Sequence, residues 1–309
     1  LKSRREEPRV QNPPNPAAWS AYLVVRVLWF ALGRLPDSIS KQIAILCFRL
    51  VDWFIPRFRR IAMRNLQLAF PQWSEHQRAK CITRMYRYLA QHLWVLAQLS
   101  TSGFTDLTKY LKIEHLSVVK NALKGGRGLL FATGHLGAWE LSAQAFGHLV
   151  QPMDVVARPL DNPYLDAWIE RLRTQTGNRV LQKSGALREV LRALHANRAV
   201  GFLLDQNVIS PDACFVDFFG IPTSASTAFA KIAHRSGAAV VPGFALFSES
   251  EQRYVLRFYP PVIMSGDAEK DTQAIQTVIE QVVREAPEQW LWIHRRFKTR
   301  PPGQPSLYP

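Results

Sequence analysis

A histidine and a carboxylate stand close together at what reads as a strand-to-helix bend. The apolar run Leu129-Leu130-Phe131-Ala132-Thr133 stops at Gly134, His135 follows, and Glu140 comes five residues later, where a helical pattern has begun near Gly137. On one regular helix that spacing would set the two side chains roughly 140° apart, at about 100° per residue. Across a bend the limit is lifted, and the carboxylate can reach the imidazole. A carboxylate there fixes the tautomer and raises the basicity of the ring, which suits a general base. The helix N-terminus also offers unpaired N–H groups to a developing negative charge. A plainer reading stays open: a loop histidine, and a first-turn acid favoured by the helix dipole.

Further polar residues fall where strands should end. Arg158 closes the strand-like Asp154–Ala157, and ligands gather at such ends in α/β sheets. Asp205-Gln206-Asn207 closes the apolar run Val200–Leu204; in parallel strands these residues share a rim with His135. A turn using Asp and Asn for local hydrogen bonds is the alternative. Arg171 and Arg173 lie on the segment after Asn162-Pro163, which reads as a helix N-cap with Pro at the first position. Arginine suits carboxylates and phosphates through its planar fork. A solvated helix face explains either one equally.

To position these groups the chain needs alternating strands and helices, and from residue 111 the pattern alternates. Strands are predicted at 128–133, 154–157, 179–181 and 200–204, with an extended piece at 215–219 and late strands at 238–247 and 253–263. Helices are predicted at 137–149, 163–175, 185–196, 224–236 and 270–285. This is an α/β class with a central sheet flanked by helices. The two adjacent late strands make the sheet mixed.

The N-terminal third differs. Residues 1–16 read as a disordered leader, 17–100 as a helical membrane-associating region, 101–302 as the α/β domain and 303–309 as a tail. Residues 17–33 are apolar and aromatic, with Arg26 as the only charge. That stretch is shorter than the roughly 20 residues of a full span and charged in its middle. It has no small-residue cleavage site of a signal peptide. An interfacial anchor or a tilted marginal span fits, with a buried core helix as the alternative. Apolar helices are also predicted at 39–54 and 77–99. The basic, apolar cluster from Pro56 to Leu66 suits an anionic membrane surface or a solvated helix face.

Composition narrows the classes. The 309 residues carry a net charge of +15, with 47% hydrophobic and 20% charged residues. That is a globular chain that favours acidic partners: nucleic acid, anionic lipid or an acidic carrier protein. Three scattered cysteines form no disulfide framework or zinc spacing, and a reducing compartment is the simpler reading. Eight histidines show no metal-ligand spacing. No Gly-x-Ser-x-Gly elbow, Walker A loop or His-Glu-x-x-His is present, and Gly125-Gly126-Arg127-Gly128 precedes a strand instead of following one. No metal or cofactor is expected.

Thr133-Gly134-His135-Leu136-Gly137-Ala138-Trp139-Glu140 resembles the His-x4-Asp/Glu motif of the lysophospholipid acyltransferase superfamily, most of all its bacterial lipid A secondary (lauroyl/myristoyl) acyltransferase branch. Other blocks match in the family order: Arg64-Asn65-Leu66 before Phe70-Pro71, Phe218-Phe219-Gly220-Ile221-Pro222, and Trp290-Leu291-Trp292-Ile293-His294-Arg295-Arg296-Phe297-Lys298. The resemblance implies a glycerolipid acyltransferase-like fold and an O-acyltransferase. His135 and Glu140 would be catalytic. Arg158, Arg173 (or Arg171, two residues away), Asp205 and Gln206 would bind substrate. It implies acyl carrier protein or coenzyme A as donor, a membrane lipid such as a lipid A precursor as acceptor, and the cytoplasmic face of the bacterial inner membrane. No nucleic acid is involved in that reading. Two rivals differ in kind: a non-enzymatic basic protein binding nucleic acid or anionic membrane, and a thioester hydrolase that needs no acceptor.

Overall fold

The computed structural model describes residues 15–308, so most of the expected leader lies outside the described residues. Four helices come first: α1 (Pro16–Arg34), α2 (Asp37–Phe54), α3 (Pro56–Ala69) and α4 (Glu75–Ser102). Then α5 (Leu107–Tyr110), β1 (Leu111–Glu114) and α6 (Leu116–Lys124) lead into the alternating part. This runs β2 (Leu129–Thr133), α7 (Trp139–Leu149), β3 (Met153–Ala157), α8 (Pro163–Thr174), β4 (Arg179–Gln182), α9 (Leu187–His195), β5 (Ala199–Leu203). The chain continues through β6 (Ala213–Phe218), β7 (Ile221–Ser226), α10 (Ala228–Ser236), β8 (Ala239–Ser248), β9 (Arg253–Phe258) and α11 (Ala268–Glu285).

Local signals set the helix ends. Ser74 and Gln77 form a reciprocal capping box at the start of α4, and Gly103 closes it in the left-handed region. Asn162 accepts from the N–H groups of Tyr164 and Leu165, with Pro163 at the first position of α8, as its sequence predicts.

The main sheet has seven strands in the order β1-β9-β8-β2-β5-β3-β4. β2 lies parallel to both β5 and β8, while β9 runs antiparallel to β8, so the sheet is mixed. Alternate residues face opposite layers. Leu129, Phe131, Ala199 and Val241 pack with side chains from α4 and α7. Leu130, Ala132, Val200 and Val240 pack with α9, α10 and α11. Because β2 and β5 are parallel neighbours, His135 and Asp205 leave the sheet on one rim.

One expectation needs correction. The helix predicted from 224 begins only at Ala228; residues Ile221–Ser226 form β7, antiparallel to β6. The turn between them places Phe219 and Gly220 at φ +61° and +75°, the geometry of a tight hairpin. Pro222 lies in this separate two-stranded sheet, where a missing N–H is tolerated. The basic cluster after Pro56 is a regular helix, α3, which buries Ile61, Asn65 and Leu66.

α1 is no core helix. Leu32 is its buried side chain, whereas Trp19, Leu23, Val24, Val27 and Phe30 are 44–69% exposed. α2 continues this apolar surface with Leu46, Leu50, Trp53 and Phe54.

Candidate active site

The bend after β2 is built for close approach. A Cβ on Gly134 would come within 2.9 Å of the Asp205 carboxyl carbon. Gly137 has φ +60°, and a Cβ there would meet the Ala245 carbonyl oxygen at 2.0 Å. Only glycine fits both constraints at residue 137. The backbone then ties the bend down. Gly137 donates to Gln289, Ala138 to Ala245, and Leu291 to the carbonyl of His135.

Asp205 is buried and grips His135 at two points. Its Oδ2 accepts from the His135 backbone N–H at 2.7 Å, and its Oδ1 lies 2.9 Å from Nδ1. The indole N–H of Trp290 donates to Oδ2 at 2.7 Å. Burial opposes the Asp205 charge, but the facing imidazole and these donors hold its carboxyl down to about 2. Burial likewise opposes protonation of His135, yet the charge and hydrogen bond of Asp205 outweigh it and raise the imidazole above its ordinary value. An ionised Asp205 puts the ring proton on Nδ1 and leaves the Nε2 lone pair free. The Gln206 amide nitrogen lies 3.3 Å from Nε2, placed to donate to it.

Glu140 does not touch the imidazole. It forms a two-pronged pair with Arg173: Nε donates to Oε2 at 3.0 Å and Nη2 to Oε1 at 2.5 Å. The contact expected between Glu140 and His135 is therefore made by Asp205. Glu140 stands in the first turn of α7, beside α8, while the end of β5 lies directly against the bend. Burial would raise the Glu140 carboxyl, but Arg173 holds it below its ordinary value. Trp139 packs edge-on to His135 at 5.3 Å between ring centroids and edge-on to His92 at 4.8 Å. His92 is buried, and burial pushes its pKa down to about 4, so that ring is neutral.

Of the sequence-predicted residues, His135, Glu140, Arg173, Asp205 and Gln206 come together. Arg158 stands apart on the rim, paired with Asp161 across an exposed surface. Arg171 is exposed on the outer side of α8. The sequence did not point to Trp290 or His92 as parts of this cluster. The C-terminal segment also braces the rim from below. Fully buried Arg296 donates to the carbonyls of Gln206 and Ser224 and to the Gln276 side chain. Asn65 of α3 holds the carbonyls of Trp292 and His294. These contacts give the Asn-Leu and Trp-rich blocks a joint structural task.

Two hollows flank the cluster on opposite faces of the sheet. One, of about 80 Å³, is apolar, walled by Phe131, Val155, Gly201 and Phe258, with Trp139, Glu140 and Arg173 at its polar wall. The other, of about 540 Å³, lies between α9 and α10 with Gln206 and Asn207 in its wall and Lys183, Lys231 and Arg235 around it. Among the described residues no group of three or more histidine, cysteine or acidic side chains is arranged to hold a metal.

An imidazole held by a buried carboxylate, with an apolar hollow reached past Trp139 and Glu140, suits acyl transfer. The chain's relatives agree with that chemistry. Residues 11–299 match the family model described as bacterial lipid A biosynthesis acyltransferase. The lipid A biosynthesis palmitoleoyltransferase of Escherichia coli K12 is 32% identical over 290 residues, covering 91% of this chain and 94% of that protein. The lauroyltransferase of the same organism is 28% identical over 297 residues, covering 95% and 96%. The myristoyltransferase is 23% identical over 296 residues, covering 95% and 91%. The chain belongs to the bacterial lipid A biosynthesis acyltransferase family.

Proposed function

We propose that this acyltransferase moves a fatty acyl chain from a thioester donor to a hydroxyl of a lipid A precursor, with His135 as general base. The observation that carries the reading is the double grip of Asp205 on His135, which fixes the ring and, in its neutral form, the tautomer that turns the Nε2 lone pair outward. The acceptor hydroxyl displaces the Gln206 amide from Nε2. Its proton passes to Nε2 as its oxygen attacks the thioester carbonyl. Asp205 stabilises the imidazolium that forms. The tetrahedral intermediate collapses, the C–S bond breaks, and the departing sulfur takes the proton from His135. No acyl-enzyme is required.

The other residues support these steps. α7 has no side-chain N-cap, so its first N–H groups are free to face the oxyanion. Glu140 is ionised and pinned by Arg173. It favours the imidazolium through its field, so the His135–Glu140 pair works without contact. The leading carbons of the acyl chain enter the apolar hollow walled by Phe131 and Phe258. Arg158, exposed on the rim, and Arg171, exposed on the outer side of α8, meet phosphates of the donor or acceptor.

The net charge of +15 suits an acidic donor such as acyl carrier protein and suits an anionic membrane surface. The exposed apolar face of α1 and α2 attaches residues 17–100 to the cytoplasmic face of the inner membrane.

Acyl transfer in detergent micelles tests this. Labelled acyl carrier protein and coenzyme A thioesters are offered with a panel of acceptors that includes a tetraacylated lipid A precursor. Acceptor-dependent product that vanishes in His135→Ala supports the reading. Fatty acid released without any acceptor points to a hydrolase.

A further inference from the structure

We propose that a basic cleft on the far side of α4 binds the headgroup of an anionic phospholipid. This is a second site, independent of the acyl-transfer reading. The cleft measures about 650 Å³ and lies between α2, the middle of α4, α5 and the β8–β9 hairpin. Six cations line it (Lys41, Lys80, Arg84, Arg87, Lys109 and Arg253), against the carboxylates of Asp37 and Glu249.

Three of the six are already engaged. Arg84 pairs with Glu288, Lys109 with Asp37, and Arg253 with Glu251. Lys41, Lys80 and Arg87 face no carboxylate among the described residues. Lys41 instead holds its ammonium 4.2 Å from the centroid of the Trp94 ring. Trp94 and Tyr254 also line the cleft. Both are at least nine-tenths buried, and the Trp94 Nε1 and Tyr254 hydroxyl have no hydrogen-bond partner. Three cations free of carboxylate partners in one concavity are the chemistry of an anion site, and a phosphodiester supplies the charge and the acceptor oxygens they lack.

The source of the anion follows from the neighbouring surface. Lys41 and Gln42 of α2 line the cleft, and one to three turns further along, Leu46, Leu50 and Trp53 of the same helix are exposed. A lipid with its phosphate in the cleft can lay its chains along that apolar stripe. The cleft is a concavity of headgroup size. An acidic protein would instead meet it across its mouth and leave the apolar stripe uncovered. The geometry therefore favours a phospholipid such as phosphatidylglycerol.

Two measurements on the full chain test this. The first follows monomeric dihexanoyl phosphatidylglycerol binding by calorimetry, with dihexanoyl phosphatidylcholine, glycerol phosphate and inorganic phosphate as competitors. The second follows co-flotation with phosphatidylglycerol vesicles. The variant Lys41→Ala/Lys80→Ala/Arg87→Ala is compared with Lys120→Ala/Lys124→Ala/Arg127→Ala, which removes equal charge near the opposite end of the sheet. Alanine suits the helical positions changed in the cleft, so the cleft variant keeps its fold.

The expected result is saturable phosphatidylglycerol binding that the phosphatidylcholine does not displace. It weakens about a hundredfold in the cleft variant and no more than about twofold in the control. Equal losses in both variants would mean diffuse surface attraction and overturn the site. So would non-saturable binding, or competition by inorganic phosphate as strong as by the lipid. Unchanged vesicle binding with lost binding of acyl carrier protein would make the cleft a protein-docking face instead.

Discussion

Asp205 holds His135 through both the backbone N–H and Nδ1, 70 residues away in the chain. One carboxylate thus fixes both the position of the ring and its tautomer. Asp205 also accepts from Trp290, so three donors converge on it. Asparagine cannot satisfy that arrangement, because its amide nitrogen must face at least one of them. Asp205→Asn is expected to cut kcat about 10²–10⁴-fold. Its effect on pH is equally specific. With Asp205 ionised, the His135 pKa lies above the ordinary 6.5, and an imidazole acting as the proposed base works only once deprotonated. The wild-type rate should therefore fall on the acid side through a pKa above 6.5. Removing the carboxylate leaves burial to dominate, so the acid limb should move to lower pH. A pH–rate profile of both proteins checks it, and an unmoved limb would assign that ionisation elsewhere.

Glu140→Gln separates field from contact. The substitution keeps the shape of the side chain but removes its charge and weakens the grip of Arg173. If Glu140 oriented the imidazole directly, its pH profile would shift as far as that of Asp205→Asn. The observed geometry predicts a smaller downward shift. Arg173→Ala should lower stability by up to about 3 kcal/mol, since it strands a largely buried carboxylate. With Arg173 gone, burial raises the Glu140 carboxyl. The wild-type pair stabilises the fold above the unfolded carboxylate pKa and loses that contribution as the pH falls through the depressed folded value. The stability gap between wild type and Arg173→Ala should therefore narrow on acidification, as thermal melts across pH would show.

Much of this site was legible in the sequence because strands announce their own ends. His135 and Asp205 each follow an apolar run, and parallel strands bring such ends to one rim. What local sequence cannot carry is which strand lies next to which. β5 sits beside β2 although β3 and β4 intervene in the chain. That order hands the imidazole to Asp205 and sends Glu140 to Arg173. The Trp290 contact spans 85 residues and depends on Asn65 and Arg296 seating the C-terminal segment. The β6–β7 hairpin was hidden for a different reason. Pro222 and the small residues after it look like a turn and helix start, and only the pairing with β6 makes them a strand.

Trp290→Phe isolates one hydrogen bond to the charged carboxylate. The ring remains packed against Phe218 and Trp292, so the fold should hold. Loss of a donor to a charged group is worth about 1.5–3 kcal/mol, mostly felt in positioning. The expected result is a fall in kcat of about tenfold or more, with KM for the acceptor little changed. A variant with normal kcat would show that the two His135 contacts suffice to hold Asp205.

The apolar hollow makes a prediction about chain length. Gly201 lies in the middle of β5 and forms part of its wall. A Cβ at that position would come within 2.8 Å of the Met153 terminal methyl, which lines the same hollow and is free to swing. Gly201→Ala should therefore fold normally while shortening the space available to the acyl chain. Specificity for a hydrocarbon tail changes by about tenfold or more per methylene that no longer fits. In competition between donors of different chain length, the variant should favour shorter chains by at least that factor, with its total rate on the shortest donor preserved. An unchanged preference would move the chain out of this hollow and into the larger cleft between α9 and α10. The corresponding test there is Phe229→Trp, because Phe229 lines that cleft and not the smaller one. The two substitutions lie on opposite faces of the sheet, so only one of them can change the selection of the same acyl chain.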